Sequence, residues 1–416
     1  MITTVRGVRD ILPAEVPGWR LLEETARQVF AAYGYQEVRT PIFEKTELFA
    51  RAVGATSDIV EKEMYTFADR GGDSLSLRPE GTAAVVRAFI ENNLQRVLPW
   101  AVYYMGPMFR YERPQKGRYR QFHQLGCELF GAEGPLADAE MMAMVLRLLR
   151  RLGVADSLTL EINSLGCTAC RGPYRARLFA VLQEQEALLC DHCRQRLPRN
   201  PLRTLDCKVE GCRAVARQAP VMKDHLCGAC GDHFQGLTGL LTDLCLPFVV
   251  NPLMVRGLDY YNRTAFEVTT TALGSQNAVA AGGRYDGLVA EMGGAAVPAI
   301  GFAMGMERLA LLLGGDRRDL TRPACYLVAV GAAAARQGLV LAEQWRDAGV
   351  AVVVDGLGGA MKSQLRRADR AGARLVLILG ERELAERSVL LKDMVDGGQT
   401  PLAWDEVGRR LSTLIG

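Results

Sequence analysis

Long apolar runs are missing from this sequence of 416 residues. The first residues, MITTVRGVRDILP, contain no apolar segment of the length found in a signal peptide, and no later run approaches the length of a membrane-spanning helix. We therefore expect a cytoplasmic protein without a membrane segment.

A strong charge imbalance is also missing, because 50 Lys and Arg residues nearly balance 47 Asp and Glu residues and leave a net charge of +3. This balance does not exclude nucleic-acid binding, since phosphate contacts depend on local patches of Lys and Arg. Hydrophobic residues make up 49% of the chain, which is enough for a sizeable core, and the length predicts two or three domains.

The stretch from Met108 to Gly131 contains two strand-like segments joined by a basic loop. Because side chains of a strand alternate between its faces, the predicted hairpin has one polar and one apolar face. The polar face holds Arg110, Glu112, Gln124, Gly126 and Glu128, and the apolar face holds Phe109, Tyr111, Leu125, Cys127 and Leu129. Gly126 leaves room for a flat ligand on the sheet. The alternation is typical both of a binding site and of an edge hairpin with a solvated polar face.

These residues resemble motif 2 of class II aminoacyl-tRNA synthetases, and their sequence is similar to that of histidyl-tRNA synthetases. The resemblance extends nearly from end to end of the chain. It implies that Arg110 binds the α-phosphate of ATP, a role for which a planar guanidinium is well suited, with Glu112 also in the ATP site. It assigns Gln124 to the α-amino group of the substrate and Glu128 to the imidazole of histidine.

The basic loop of the hairpin reaches the tRNA acceptor end in that family. The resemblance therefore implies acceptor contacts for Arg113, Gln115 and Arg120. The expected target is the extra 5′ guanosine of tRNA(His).

A second segment, Leu77 to Thr82, joins a predicted strand to a helix that begins near Ala83. Thr82 can cap that helix or face a ligand. By the resemblance, Glu80, Gly81 and Thr82 bind histidine through its amino group. A simple helix cap would explain Thr82 but leaves Glu80 unexplained.

A charged and aromatic loop, Val255 to Thr264, resembles a signature of histidyl-tRNA synthetases and their relatives. It implies that Arg256 meets the α-phosphate and the substrate carboxylate, and that Tyr260 and Tyr261 line the histidine pocket. A second cation opposite Arg110 would stabilise the charge that grows on phosphorus, so both arginines are candidate catalytic residues. The alternative is a surface loop with a salt bridge between Arg256 and Asp259.

Two further motifs complete the resemblance. Gly301 to Leu313 is similar to motif 3, in which Gly305 passes under the adenine and Arg308 reaches the nucleotide from the start of a helix. A predicted helix over Gly18 to Tyr33 and a strand over Val38 to Phe43 resemble motif 1, the dimer interface of the class. The resemblance thus implies a homodimer.

Four close cysteine pairs lie between Asn163 and Cys245, where the hydrophobic pattern weakens. They are Cys167/Cys170, Cys190/Cys193, Cys207/Cys212 and Cys227/Cys230. In a reducing compartment such spacing indicates metal or free thiols before disulfides. Eight thiolates could complete two structural, closed zinc sites. Their pairing stays open, as does replacement of a sulfur by His192, His225 or His233.

The last part of the chain begins after a polar, glycine-rich linker, Gly314 to Pro323. Three short apolar runs, Tyr326–Val330, Val350–Val354 and Leu375–Leu379, alternate with predicted helices and indicate a small α/β unit with a parallel sheet. By the resemblance this unit is an anticodon-binding domain.

The expected fold class is therefore α/β with an α+β catalytic core: an antiparallel sheet of class II synthetase type with a helical insertion, followed by a small α/β anticodon-binding domain. The expected limits are 1–162 and 246–315 for the two parts of the core, 163–245 for the insertion and 323–416 for the last domain.

Two functions follow from the resemblance. The first is a ligase that uses ATP and Mg²⁺ to activate L-histidine and then esterifies tRNA(His). The second is a histidine-sensing regulatory subunit of ATP phosphoribosyltransferase, because catalytically inert relatives share the core fold. The ligase is favoured, since the chain keeps Arg110, Gln124, Glu128, Arg256 and Arg308 and a C-terminal α/β unit.

Overall fold

A computed structural model describes residues 1–54, 57–155, 158–273, 277–314 and 325–415. The chain divides into two compact units, one of Met1–Asp10 with Gly18–Gly314 and one of Ile11–Pro17 with Gly315–Gly416. Most of the predicted linker, residues 315–323, lies outside the described residues. In the described part of the chain, no helix combines the length and apolar character needed to cross a membrane.

An eight-stranded sheet forms the centre of the first unit, with the strand order β1-β5-β6-β11-β10-β9-β7-β8. The two edge pairs, β1 with β5 and β7 with β8, are parallel, and the other neighbours are antiparallel. This sheet confirms the predicted antiparallel core. Its strands are β1 (Gln36–Glu37), β5 (Trp100–Phe109), β6 (Gln121–Phe130), β7 (Leu158–Ser164), β8 (Val249–Val250), β9 (Asn262–Thr270), β10 (Ala278–Arg284) and β11 (Ala299–Gly305).

Helices and a small sheet surround the central sheet. The helices up to residue 314 are α1 (Val16–Ala32), α2 (Thr46–Val53), α3 (Thr82–Glu91), α4 (Pro135–Arg151), α5 (Thr168–Glu184), α6 (Asp191–Arg196), α7 (Glu210–Gln218), α8 (Gly228–Asp243), α9 (Leu288–Glu291) and α10 (Met306–Leu313). The small sheet has the order β2-β4-β3. Its strands are β2 (Phe43–Lys45), β3 (Thr66–Ala68) and β4 (Ser74–Leu77).

The hairpin β5–β6 packs its apolar residues as predicted. Leu125 and Cys127 are fully buried, and Phe130 stacks on Phe89 of α3 with ring centroids 4.5 Å apart. Tyr111 differs from the prediction, because it follows the end of β5 and is 55% exposed. The alternation of faces no longer holds once the chain leaves the strand.

The predicted strand over Val38 to Phe43 is wrong. The chain pairs with β5 only at Gln36 and Glu37 and starts a new strand at Phe43. Pro41 lies between the two strands, where the missing N–H of proline interrupts a ladder. The apolar spacing alone did not reveal this break.

The cysteine-containing segment is helical and has a core of its own. Tyr174, Leu178, Cys193, Cys212 and Cys230 belong to one buried cluster formed by this segment. The predicted limits of 163 and 245 fall inside β7 and just after α8. All four predicted domain limits stay predictions.

The second unit contains a five-stranded sheet of order β13-β12-β14-β15-β16. Strands β13, β12 and β14 are parallel as predicted, whereas β15 and β16 add an antiparallel edge that the prediction omitted. The elements are β12 (Cys325–Ala329), α11 (Ala332–Asp347), β13 (Val352–Val354), α12 (Met361–Arg370), β14 (Leu375–Leu379), α13 (Glu381–Ala385), β15 (Ser388–Asp393), β16 (Gln399–Ala403) and α14 (Val407–Ile415).

Candidate active site

A row of small residues crosses the middle of the large sheet. Gly126 on β6 is opposite Ala303 on β11, which is opposite Ala281 on β10, and Ala281 is opposite Glu267 on β9. Residues directly opposite on neighbouring strands share a face. The alanines therefore leave the face open, and Glu267 ends the row.

A cavity of about 290 Å³ lies above this row. It brings together nine of the residues predicted to bind substrates, although they come from five separate segments of the chain. These are Glu80, Thr82, Arg110, Glu112, Gln124, Arg256, Tyr260, Tyr261 and Arg308.

Glu80 caps helix α3, a role the sequence suggested for Thr82. Both oxygens of Glu80 accept backbone N–H groups, from Thr82 and Ala83 at 2.8 Å each. Burial raises the pKa of Glu80, while these N–H groups oppose the shift. Each oxygen keeps a second lone pair, so the carboxylate can still accept from an ammonium group in the cavity.

Glu128 lies one layer behind the cavity wall and is 1% exposed. The hydroxyl of Thr82 donates to its Oε1 at 2.7 Å, and the hydroxyl of Tyr285 donates to its Oε2. Gly301, directly opposite on β11, has no side chain that would occupy the place of the carboxylate. Burial raises the pKa of Glu128 to about 8, against the opposing effect of the Tyr285 and Thr82 hydroxyls.

The predicted role of Gly126 as open floor for a flat ligand needs correction. The ring of Tyr104, opposite on β5, covers Gly126 and also packs against Gly81. A side chain at either glycine would meet that ring. Both glycines are therefore required by Tyr104, and the open floor lies over the neighbouring alanines.

The cavity arginines are paired with glutamates. Arg118 forms an ion pair with Glu112, and Arg256 forms one with Glu267. The alternative pairing of Arg256 with Asp259 is thus replaced by a partner on the sheet. Nε of Arg110 donates to the carbonyl of Pro79 at 2.8 Å.

Two buried polar atoms of the cavity residues have no hydrogen-bond partner among the described residues. They are Oε1 of Gln124 and Nε of Arg256. A buried polar atom without a partner costs free energy, so a ligand that supplies the missing acceptor or donor is favoured. Gln124 needs a donor and Arg256 needs an acceptor.

Sequence reasoning missed Glu267, and it placed Tyr285 in a family signature, Ala281 to Leu288, without foreseeing its contact with Glu128. Glu267 is the one acidic residue of strand β9, where it stands between the apolar residues Phe266 and Val268, and that was the local signal available. Tyr285 acts on Glu128 across 157 positions of sequence, and no local pattern indicates such a contact.

The three residues predicted to contact tRNA, all in the loop between β5 and β6, differ in their surroundings. Arg113 and Gln115 are exposed. Arg120 is engaged within the protein: its guanidinium lies 3.7 Å from the centroid of the Tyr111 ring, and its backbone N–H donates to Gly7 at 2.7 Å. These three residues lie outside the cavity wall.

The eight paired cysteines form two separate groups of four. Sulfur atoms within each group all lie within 4.8 Å of one another. Measured sulfur–sulfur distances include 3.7 Å for Cys167 to Cys170, 3.9 Å for Cys167 to Cys227 and 3.9 Å for Cys190 to Cys207. The first group (cluster 1) is Cys167, Cys170, Cys227 and Cys230, and the second (cluster 2) is Cys190, Cys193, Cys207 and Cys212.

Backbone N–H groups donate to sulfur in both clusters, whereas burial raises the pKa of Cys193, Cys212 and Cys230. In cluster 1 the N–H of Cys227 donates to the sulfur of Cys170 at 3.1 Å, and in cluster 2 the N–H of Cys190 donates to the sulfur of Cys212 at 3.1 Å. A backbone N–H of Cys170 is the main cause that lowers the pKa of Cys167 to about 6. Thiolates are the form that binds metal.

Among the described residues, no histidine belongs to either cluster. Nε2 of His233 lies 2.8 Å from Asp138 on α4, and the ring of His225 packs on Tyr174. The clusters are therefore made of sulfur alone.

Comparisons with known proteins agree with the fold and the cavity. A family model described as histidyl-tRNA synthetase matches residues 7–309, and one described as anticodon binding domain matches residues 324–414. A histidine–tRNA ligase from Trichlorobacter lovleyi is 54% identical over 96% of both chains, and one from Geobacter sulfurreducens is 50% identical over 99% of this chain and 100% of that protein.

Among solved structures, apo histidyl-tRNA synthetase from S. aureus is similar with a TM-score of 0.83. It is 36% identical, and the match covers 99% of this chain and 100% of that chain. With a family model that spans most of its length and full-length relatives at half identity, this chain belongs to the histidyl-tRNA synthetase family.

Proposed function

We propose that the chain is a histidine–tRNA ligase whose active site is the cavity above the alanine row. It activates L-histidine with ATP to histidyl-adenylate, releases pyrophosphate and transfers the histidyl group to the 3′ end of tRNA(His). The observation that carries the proposal is the convergence of nine predicted substrate-binding residues on one cavity.

Arg110 and Arg256 are the proposed catalytic residues. Attack of the histidine carboxylate on the α-phosphorus rearranges negative charge onto the phosphate oxygens, and two guanidinium groups held in place stabilise it. Glu112 and Glu267 pair with Arg118 and Arg256, and both arginines line the cavity. Phosphate oxygens of ATP can replace these carboxylates as partners of Arg118 and Arg256, and the terminal phosphates can bind Arg308.

Histidine binds beside this cation pair. Oε1 of Gln124 and the carboxylate of Glu80 are acceptors for its ammonium group. Tyr260 and Tyr261, whose ring centroids lie 4.6 Å apart, form the aromatic wall for the imidazole. Glu128 acts on the imidazole end from behind that wall, held by Thr82 and Tyr285.

Mg²⁺ enters as part of the ATP complex. Four carboxylates line the cavity, and each already has a partner. Glu112 pairs with Arg118, Glu267 with Arg256 and Glu307 with His123, and Glu80 accepts the backbone N–H groups at the start of α3. Mg²⁺ in nucleotide sites is held mainly by phosphates, waters and one or two carboxylates. The cavity wall therefore suits an Mg²⁺ ion that is bound mainly by ATP, and it is not a dedicated protein site for the metal.

Clusters 1 and 2 bind one structural Zn²⁺ each. A tetrahedral site with Zn–S bonds of about 2.3 Å places its sulfurs about 3.8 Å apart. The measured distances of 3.7 and 3.9 Å match this spacing. Four sulfurs leave no open position for a substrate, so the role is structural.

The loop of Arg113 and Gln115 reads the acceptor end of tRNA(His). Both side chains are exposed on a loop whose base is next to the ATP site. Arg120 contributes by holding the loop through its contacts with Tyr111 and Gly7.

The active form is a homodimer in the cytoplasm. The small sheet supports a dimer, because its outward face is apolar apart from Lys45 and its inward face is polar. Phe43 faces Leu77 and Phe67 faces Leu75 across the strands, and both phenylalanines are exposed. On the other face Ser76 is buried and bonded to Thr66. Exposed apolar patches of this kind mark interfaces. The free state of all eleven cysteines suits a reducing cytoplasm.

Histidine-dependent exchange of pyrophosphate into ATP tests the ligase function. The parent should exchange, and Arg256→Ala should lose on the order of 100- to 1000-fold in rate. The double variant Arg113→Ala/Gln115→Ala should keep exchange and lose aminoacylation of tRNA(His). Lys116→Ala, in the same loop, is the matched control for a lost surface charge.

Binding of histidine by the parent without exchange would instead indicate the regulatory-subunit alternative. Exchange by Arg256→Ala within a few-fold of the parent would remove this loop from the catalytic assignment.

A further inference from the structure

The loop Val255–Tyr261, here called the histidine loop, separates two cavities. The active-site cavity lies on one side, and a second cavity of about 430 Å³ lies on the other. Arg256 and Leu258 line both. Residues 255–259 are half-buried or exposed between these cavities, so polar contacts contribute to the position of this part of the loop, whereas Tyr260 and Tyr261 are buried in the core of the first unit.

Two arginines of the insertion hold the histidine loop from behind. Nη2 of Arg203 donates to the carbonyl of Gly257 at 2.9 Å, and Nη2 of Arg171 donates to the carbonyl of Tyr261. Both side chains line the second cavity and are partly buried. Hydrogen bonds from a charged donor are stronger than those between neutral groups.

Arg171 is attached directly to cluster 1. It follows Cys170 in the first turn of α5, and its backbone N–H donates to the carbonyl of Cys167 at 3.0 Å. Leu165 and Gly166, just before cluster 1, are bonded to Arg263, two residues after the histidine loop. The N–H of Leu165 donates to the carbonyl of Arg263 at 2.6 Å, and the N–H of Arg263 donates to the carbonyl of Gly166 at 3.0 Å.

Arg203 has the same relation to cluster 2. It lies in a short 3₁₀ turn, Pro201–Thr204, and the N–H of Cys207 donates to the carbonyl of Thr204 at 3.2 Å. Arg171 and Arg203, here called the clamps, thus each hold the histidine loop from a position next to one four-sulfur cluster.

We propose that Arg171 and Arg203 are positioning residues for histidine, and that the metal state of the two clusters sets the affinity for this amino acid through them. The inference rests on the proposed ligase function and on zinc in the clusters. Zinc fixes the start of α5 and the turn of Arg203, and the two guanidinium groups then hold Tyr260 and Tyr261 against the imidazole.

The affinity for ATP should depend less on the metal state of the clusters than the affinity for histidine does. Arg110, just after β5, donates to the carbonyl of Pro79, and Arg308 of α10 donates to that of Ala278, whereas Arg171 and Arg203 donate to Tyr261 and Gly257. Arg256 is held separately by Glu267 on β9. The histidine site is thus the part that senses the metal.

Calorimetric titration of histidine into the zinc-loaded full chain tests the clamp. Arg171→Ala should weaken histidine binding about tenfold, the loss expected for one charged hydrogen bond. Arg171→Lys, which keeps a charged donor, should recover part of it. Arg175→Ala is the matched control, because Arg175 lies one turn further along α5, lines the same cavity and donates to Arg199 instead of the loop.

In steady-state assays, Arg171→Ala should raise the KM for histidine, with little change in kcat or in the KM for ATP. Elemental analysis should find the zinc content of the parent in each variant. Histidine affinity of Arg171→Ala within twofold of the parent would overturn the positioning role.

Zinc removal from the parent tests the metal coupling independently of any substitution, including the case in which Arg171→Ala does not fold. Histidine affinity should fall when zinc is stripped and return when Zn²⁺ is added back. Equal affinity of stripped and loaded protein would overturn the coupling. A loaded parent that neither binds nor activates histidine would overturn the proposed function itself.

Discussion

Carboxylates and a backbone carbonyl hold the arginines of the cavity in place. Arg118 and Arg256 each hold a carboxylate that a phosphate can replace, while Gln124 keeps a buried acceptor without a described partner. ATP and the histidine ammonium group would satisfy these atoms together. Under the proposed function, ligand oxygens would replace protein oxygens as partners of these arginines with little movement of the cations.

Glu128 leads to a prediction about stability and pH. Burial raises its pKa from 4.5 to about 8 in the folded protein. The folded state thus binds a proton that the unfolded state releases, so this contribution to stability is complete below pH 4.5 and is lost as pH rises to about 8. Glu128→Gln removes that dependence. Between pH 5.5 and 8.5 the parent should lose on the order of a few kcal/mol relative to the variant.

Scanning calorimetry at several pH values measures this difference through the melting temperature of the first unit. Glu133→Gln is a suitable control, because Glu133 is exposed with a side chain that is 77% accessible. A gap between parent and Glu128→Gln that stays constant over the pH range would contradict the assignment.

At the scale of single elements, patterns in the sequence predicted strands and helices where one rule acts alone. The alternation of β6 correctly separated buried Leu125 and Cys127 from Gln124, and the motif 3 helix begins at Met306, ahead of Arg308. The predicted strand at Val38 failed where proline competes with an apolar spacing. Thr82 was expected to cap α3 or to face a ligand; the carboxylate of Glu80 caps the helix, and Thr82 lines the cavity.

The insertion gives a prediction about which cysteines share a metal. Sequence allowed three ways of joining four pairs, and the distances favour one. Cys167→Ser/Cys227→Ser removes two ligands from cluster 1 only and should lower the zinc content from two ions per chain to one. Cys167→Ser/Cys190→Ser removes one ligand from each cluster and should abolish high-affinity binding at both. Zinc is measured by elemental analysis of protein purified without chelator.

Cys245→Ser/Cys325→Ser is the control, because these cysteines lie outside both clusters. If the first double variant lost both ions and the second only one, the pairing would be wrong. Parent protein without zinc, with eight freely reactive thiols, would leave the clusters as free thiols.

For the whole molecule, sequence motifs identified nine polar and aromatic residues of the cavity, but the contacts between them could not be read from the chain. The strand order that sets Ala303 beside Ala281 and Gly126 arises from long-range pairing, which no local pattern encodes. The same holds for Tyr104, whose ring fills the space that Gly126 was expected to leave for a ligand. Resemblance predicted which residues serve the site; register and packing decide which of them line it.

The outward apolar face of the small sheet leads to the last prediction, on assembly. Phe43 is 53% and Phe67 is 44% exposed, whereas a sheet of a monomer normally turns its apolar face inward. If a second copy covers this face, Phe67→Asp buries a charge in the interface and should shift the protein from dimer to monomer in sedimentation equilibrium at micromolar concentration. Leu357→Asp is the matched control, since Leu357 is 81% exposed on the second unit and should leave the mass unchanged. A Phe67→Asp protein that remains as dimeric as the parent, with an unchanged melting temperature, would place the interface on another surface.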